Sequence, residues 1–161
     1  MSILEQLAIV PQVGTVTWIG VRPERDAPMR ELDEVVADVD HGLVGDRYRS
    51  AGSRQVTLMQ AEHLPVIGAL TGARTIEPEL LRRNLVVSGI NLLSVRKLRF
   101  AIGDEVILVG TSACAPCEKM EEALGPGGFQ AMRGHGGICA RIERGGRIRR
   151  GDRVRVHAIG A

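Results

Sequence analysis

The chain has 161 residues and a mass of 17.4 kDa, enough for one globular domain with a single sizeable core. An apolar content of 44% and a charged content of 25% exclude general disorder. A formal net charge of +2, from 21 basic and 19 acidic residues, is too balanced for a dedicated nucleic-acid binder.

The first ten residues predict a short amphipathic helix or a loose terminal segment, stopped by Pro11. Residues 13–21, VGTVTWIGV, are β-branched and alternate, as a strand does. RPERDAPMRE (22–31) carries two prolines and predicts a polar loop. A strand follows at 34–39, a glycine-punctuated turn at 41–47 and another strand at 54–60. Residues 61–70 predict a short helix, 77–83 one or two helical turns, and 84–89 a strand. After a turn at INLLSV (90–95), strands are expected at 98–100 and 105–111, on either side of Ile102-Gly103-Asp104. Residues 117–124 have a helical pattern, and 125–137 predict a glycine-rich loop. Strands at 138–143, 147–149 and 153–157 close the chain. Helices do not alternate regularly with strands, which argues against a doubly wound parallel sheet. The expected fold is therefore mainly β: a mostly antiparallel barrel with a few short helices.

Three cysteines are too few and too odd in number for a disulfide scaffold, so a reducing cytoplasm and a reactive or metal-binding thiol are expected. No apolar run approaches the roughly 20 residues of a membrane helix. The first residues also lack the basic region of a secretory signal. With two Phe, one Tyr and one Trp, the chain has few rings on which single-stranded nucleic acid could stack. Neither membrane nor nucleic acid is an expected partner.

The strongest local feature is TSACAPCEKMEEALG (111–125). A strand runs into Cys114-Ala-Pro-Cys117 and a helix follows, which puts Cys117 at the helix start. Backbone N–H groups and the helix dipole favour an anionic sulfur there. Glu118, Glu121 and Glu122 oppose that effect, and Lys119 helps. Three chemistries fit the pair: thiol–disulfide exchange, zinc held by Cys114, Cys117, His135 and Cys139, or a single thiolate that carries sulfur or binds a soft metal. A second feature is the loop GPGGFQAMRGHGGICAR (125–141). Its six glycines let backbone amides approach an anion, and Arg133, His135 and Arg141 add cationic donors. Arg82 and Arg83 before Asn84 can clamp a phosphate, with Asn84 as an orienting amide. Asp46, Arg47 and Arg54 offer further polar groups on turns. Nineteen of the 21 basic residues are arginine, the side chain that grips phosphate or carboxylate through paired hydrogen bonds.

Five segments, taken in order, resemble a MOSC domain, named for the C-terminal domain of molybdenum cofactor sulfurases. They are GLVGDR (42–47), RQVTLMQAEHL (54–64), LRRNLVVSGINL (81–92), FAIGDEVILVGTSACAPC (100–117) and GHGGICARIERGGRIRRGDRVRV (134–156). The resemblance covers about residues 35–157 and predicts one domain over 1–161, with residues 1–12 as an N-terminal extension. It implies a small barrel of the pyruvate-kinase-barrel type. It also implies a reactive cysteine, carried over to Cys117, that bears sulfur or ligates the molybdenum of a molybdopterin cofactor, with Cys114 as a supporting thiol. Arg54, Arg83, Asn84, Arg133, Gly136, Gly137 and Arg141 would then form the anion-binding shell, with His135 behind them. The activities implied are sulfur transfer to the cofactor, aided by a sulfur-donor or redox protein partner, or molybdenum-dependent reduction of N-hydroxylated compounds. The family is associated with pyridoxal phosphate only through a separate aminotransferase-like domain. With lysine only at positions 97 and 119, neither in a suitable context, direct use of pyridoxal phosphate is not expected here. The rival classes are a cofactor-delivery or binding module without catalysis, and a CxxC zinc or thiol-redox module.

Overall fold

The computed structural model describes residues 1–72 and 74–157. The last four residues of the expected 1–161 domain lie outside the described residues. In chain order the strands are β1 (Gly14–Val21), β2 (Arg30–Leu32), β3 (Glu34–Asp38), β4 (Gly42–Leu43), β5 (Val56–Gln60), β6 (Leu85–Ser88), β7 (Arg99–Ile102), β8 (Val106–Ala113), β9 (Ile138–Arg144), β10 (Gly146–Arg149) and β11 (Arg153–Val156). The helices are α1 (Ile3–Leu7), α2 (His63–Leu70), α3 (Glu118–Leu124) and α4 (Gly128–Met132), with single 3-10 turns at Pro78–Leu81 and Leu92–Val95.

Seven strands close into a barrel in the order β11-β7-β8-β9-β5-β6-β1, with β11 pairing back onto β1. Closure removes the open edges that would otherwise template association. β2 extends the sheet beyond β1, and β10, β3 and β4 form a small second sheet. The barrel is mixed rather than purely antiparallel, because β5 and β6 run parallel. Parallel neighbours need a crossover, and α2 with the Pro78–Leu81 turn supplies it.

The strand period of two separates two cores. Val16 and Ile19 of β1, Val56 and Leu58 of β5, Leu85 and Val87 of β6, Phe100, Leu108, Ile138, Ala140 and Val154 fill the barrel interior. The opposite faces of β1, β5 and β6 present Trp18, Met59 and Val86, which pack against Ile67 of α2, Leu81, Met120 and Leu124 of α3, and Met132 of α4. A bulge between Val16 and Trp18 shifts the β1–β6 register, so Trp18 faces the helices although Val16 faces the interior. Each fully buried Leu, Ile or Val contributes about 2 kcal/mol by leaving water, so both cores are substantial.

Two local expectations change. The 22–31 segment is not loop throughout, since Arg30–Leu32 pairs with the end of β1. The 125–137 glycine loop contains α4, whose Ala131 and Met132 are buried against the helical core; apolar burial overrides the glycine-rich context.

Candidate functional site

The connections around β1, β5, β6 and β8 converge at one mouth of the barrel. Arg22 follows β1, Arg54 precedes β5, Arg82 and Arg83 precede β6, and Ala115-Pro116-Cys117 follows β8. With Arg25, Arg47 and the first turn of α3, they line a crevice of about 430 Å³. Six arginines and Lys119 share that lining with one acidic residue, Glu118.

A buried polar network holds the crevice wall. Asp46 is inaccessible to solvent and takes the Arg22 side chain through Nε at 3.2 Å and Nη2 at 3.1 Å. It also accepts from the backbone N–H groups of Arg22 at 2.7 Å and Tyr48 at 3.1 Å. Burial pushes the Asp46 carboxyl up, but the Arg22 guanidinium and these N–H groups outweigh it and hold it below the usual carboxylate range. Asn84, equally buried, donates from Nδ2 to Asp46 Oδ1 and to the Gly20 carbonyl, while its Oδ1 accepts from the Thr57 N–H and hydroxyl. One asparagine therefore ties β1, β5, β6 and the Asp46 turn together, and the orientation of Arg22 follows from it.

The cysteines occupy different environments. Cys114 is buried, and its backbone N–H donates to the Gly137 carbonyl at 2.8 Å. Cys139, one strand over, is buried beside it. A hydrogen bond from the Cys139 thiol pulls the Cys114 thiol down to about 6; burial opposes the shift, while the Arg83, Arg54 and Arg22 guanidiniums assist it. The same bond and burial push the Cys139 thiol far up. Arg54 Nη2 lies 4.0 Å from the Cys114 sulfur. Arg83 is buried with no carboxylate partner among the described residues; it donates to the carbonyls of Gly136, Leu81 and Ala115. Its positive charge is met only by neutral dipoles and the anionic tendency of Cys114. Cys117 instead is exposed at the crevice wall as the residue that caps α3, with its side chain making no capping hydrogen bond.

The crevice cations divide into held and open groups. Lys119 donates to Asp26 Oδ1 at 3.0 Å and to the Arg25 carbonyl at 2.6 Å. Arg82 adopts a left-handed backbone (φ 56°) and donates to the carbonyls of Ala27 and Arg25. Burial, then the nearby Arg22 and Arg47 charges, press the Arg82 guanidinium below its ordinary range. Among the described residues, Arg25, Arg47 and Arg54 form no ion pair. Clustered cations repel, so an anion bound among them would stabilise this arrangement.

Of the residues singled out from the sequence, the fold brings Arg54, Arg83 and Cys117 to the crevice, with Cys114 directly beneath. Asn84 lies behind the wall as a strut. Gly136 and Gly137 line no crevice surface but close its floor: Gly136 offers its carbonyl to Arg83, and Gly137 (φ 84°) passes so close to the Leu58 carbonyl that no side chain fits. Arg133 lies elsewhere, bonded to Gln130, and Arg141 is exposed on the outer face of β9. His135 bonds the Ala131 carbonyl through Nδ1 and meets His63 edge-to-face at 5.2 Å. Among the described residues, no three His, Cys, Asp or Glu side chains gather as a metal-binding group, so the four-residue zinc set does not assemble. Sequence reasoning missed Arg22 and Arg25. The available signal was a polar RPER segment leaving a buried strand, where loops commonly carry function.

A cysteine-bearing, arginine-lined mouth on a closed mixed barrel is the candidate site of this small β-barrel protein. The MOSC domain family model matches residues 38–155, and the chain belongs to that family. Solved structures share the fold. The YuaD protein from Bacillus subtilis superimposes with a TM-score of 0.80 at 20% identity, over 94% of this chain and 100% of that one. YiiM from Geobacillus stearothermophilus gives 0.75 at 14% identity, over 92% and 77%. YiiM from Escherichia coli gives 0.67 at 17% identity, over 94% and 71%. No curated protein matches the sequence. Among the described residues, no helix is long and apolar enough to cross a membrane.

Proposed function

We propose that this MOSC protein binds the molybdenum cofactor in the arginine-lined crevice, with Cys117 as the sulfur that meets the metal. The observation that carries the reading is an exposed thiol on the wall of a crevice whose Arg25, Arg47 and Arg54 have no carboxylate partner among the described residues. The residues fit the group on three counts. The crevice volume lies within the range of small-molecule sites. Guanidiniums match a terminal phosphate. A thiolate suits a soft metal. Arg25 and Arg54 would hold the phosphate, with Arg22, fixed by Asp46, as the wall behind it; Cys117 would ligate the metal and Cys114 would support it from below. When bound, the cofactor supplies a molybdenum centre for oxidoreduction or sulfur chemistry. The protein's own part is to bind, orient and keep Arg83 and Cys114 out of water.

Exposure of Cys117 also supports a sulfur-carrier reading, in which a donor protein reaches the thiol. The deciding experiment measures molybdenum and pterin per chain after purification from a molybdenum-sufficient host, for wild type and Cys117→Ala. Loading near one equivalent that falls at least tenfold in the variant is expected. Persulfide on Cys117 without molybdenum would select the sulfur carrier. No pterin, no persulfide and failed reconstitution in both proteins would remove the reading altogether.

A further inference from the structure

A second, smaller depression shares a wall with the crevice. It has a volume of about 180 Å³ and is lined by Arg22, Arg47, Arg54 and Tyr48. The three arginines also line the larger crevice, so they form a waist between two lobes. Cys117 stands in the large lobe and Tyr48, the chain's single tyrosine, in the small one.

We propose that the small lobe is a separate oxyanion site, which receives the carboxylate, phosphate or sulfur-oxyanion group of a small acidic substrate beside the cofactor. Arg22 is pinned through Nε and Nη2 to Asp46, which leaves Nη1 as its unused donor edge. Asp46 offsets only that one charge. Arg47 has no carboxylate partner among the described residues and is not needed for the cofactor phosphate, so the lobe keeps an uncompensated cation beside the bound cofactor. The Tyr48 hydroxyl has no protein hydrogen-bond partner among the described residues either, and it is a neutral donor suited to an oxyanion. The volume equals that of about six liquid waters, which admits an oxyanion on a short carbon skeleton and excludes a pterin or a nucleotide. The lobe is preorganised at its base, because the backbone N–H of Tyr48 is bonded to the Asp46 carboxylate that also aims Arg22.

The assignment rests on the cofactor reading only for the identity of its neighbour, and the test separates the two. Equilibrium dialysis with radiolabelled inorganic sulfate counts anions per chain. Cofactor-free wild type should take up two equivalents, one in each lobe, and wild type loaded with the cofactor one, in the small lobe. Tyr48→Trp fills the small lobe, so the cofactor-free variant should take up one and the loaded variant none, while its molybdenum and pterin content as purified stays unchanged. Tyr48→Phe keeps the ring and loses the hydroxyl, so the second sulfate should weaken roughly tenfold, as for a lost hydrogen bond to a charged group. Unchanged thermal midpoints would show that both variants fold. One equivalent in cofactor-free wild type, or two in cofactor-free Tyr48→Trp, overturns the proposal. Loss of pterin together with sulfate in Tyr48→Trp also overturns it, because the lobe would then belong to the cofactor. Absence of pterin from every variant, with the sulfate pattern intact, removes the cofactor reading and leaves the oxyanion site standing.

Discussion

Cys114 and Cys117 are one helical turn apart in sequence and belong to opposite regions of the site. The floor around Cys114 is closed: Arg83, Gly136, Gly137 and Cys139 satisfy one another, and the two thiols are only 3% and 2% exposed. The rim around Cys117 is open, and Arg25 and Arg47 stand there without carboxylate partners among the described residues. A closed floor can fix geometry but cannot meet a ligand. An open rim can meet a ligand but contributes little to stability. The CAPC segment spans the two because β8 ends at Ala113 and α3 starts only at Glu118, so the chain climbs from floor to rim between them.

This division can be broken most forcefully at the floor. Gly137→Ala would drive a Cβ into the Leu58 carbonyl at a φ of 84° that alanine disfavours. Urea unfolding should show a loss of about 4 kcal/mol, in the range of severe core substitutions. Arg83→Ala strips three carbonyls of their donor and leaves Cys114 without a buried cation. A loss of about 3 kcal/mol is expected, comparable to breaking a buried ion pair. The rim counterpart, Arg47→Ala, should change stability by under about 0.5 kcal/mol while weakening anion binding. Equal losses in Arg83→Ala and Arg47→Ala would erase the distinction.

The floor should also show itself in pH dependence. A thiol whose folded-state value is lowered contributes stability that is complete above the ordinary thiol range. That stability is lost as pH falls through the folded-state value, here about 6 for Cys114. Cys139 is shifted upward, so its contribution is complete below the ordinary thiol range and declines above it. Together they predict a stability that climbs between about pH 6 and about pH 8.5, then falls. Unfolding midpoints of wild type minus Cys114→Ser give the curve directly. A flat difference across that window would show that the floor thiols are not coupled. Thiolate absorbance at 240 nm should rise near pH 6 in wild type and not in Cys114→Ser.

Much of this architecture was legible in the sequence. The β-branched, alternating patterns of VGTVTWIGV and GICARIE and the strand-like run RQVTLMQ marked strands β1, β9 and β5. Parallel pairing of β5 with β6 was not legible, because parallel and antiparallel strands carry the same local signal. Within the candidate site, the structure brings the cysteine segment, Arg54 and Arg83, all singled out from the sequence, to one crevice. The origin of the floor was hidden. It depends on Gly137 reaching Cys114 from 23 residues away, and no periodicity reports such a contact. Asn84 shows the reverse: its amide is fully occupied by Asp46, Gly20 and Thr57, so a residue type suited to a ligand serves the scaffold.

The smallest expected effect concerns Cys117. Cys117→Ser should leave the unfolding free energy within about 0.5 kcal/mol, because the side chain is exposed and makes no capping bond. Its consequence lies in reactivity. Iodoacetamide with native protein should add one label, on Cys117, and three labels in denaturant. The Cys117→Ser variant should then take none when native. The Cys114 thiol is pulled down to about 6, but anionic character without access does not give fast alkylation, since the reagent must reach the sulfur. Two labels on native wild type, found by peptide mass mapping at Cys114 and Cys117, would mean that the floor opens on the timescale of the reaction. The thiol beneath Arg54 would then be a working group in its own right, with Cys117 no longer the only sulfur a ligand could reach.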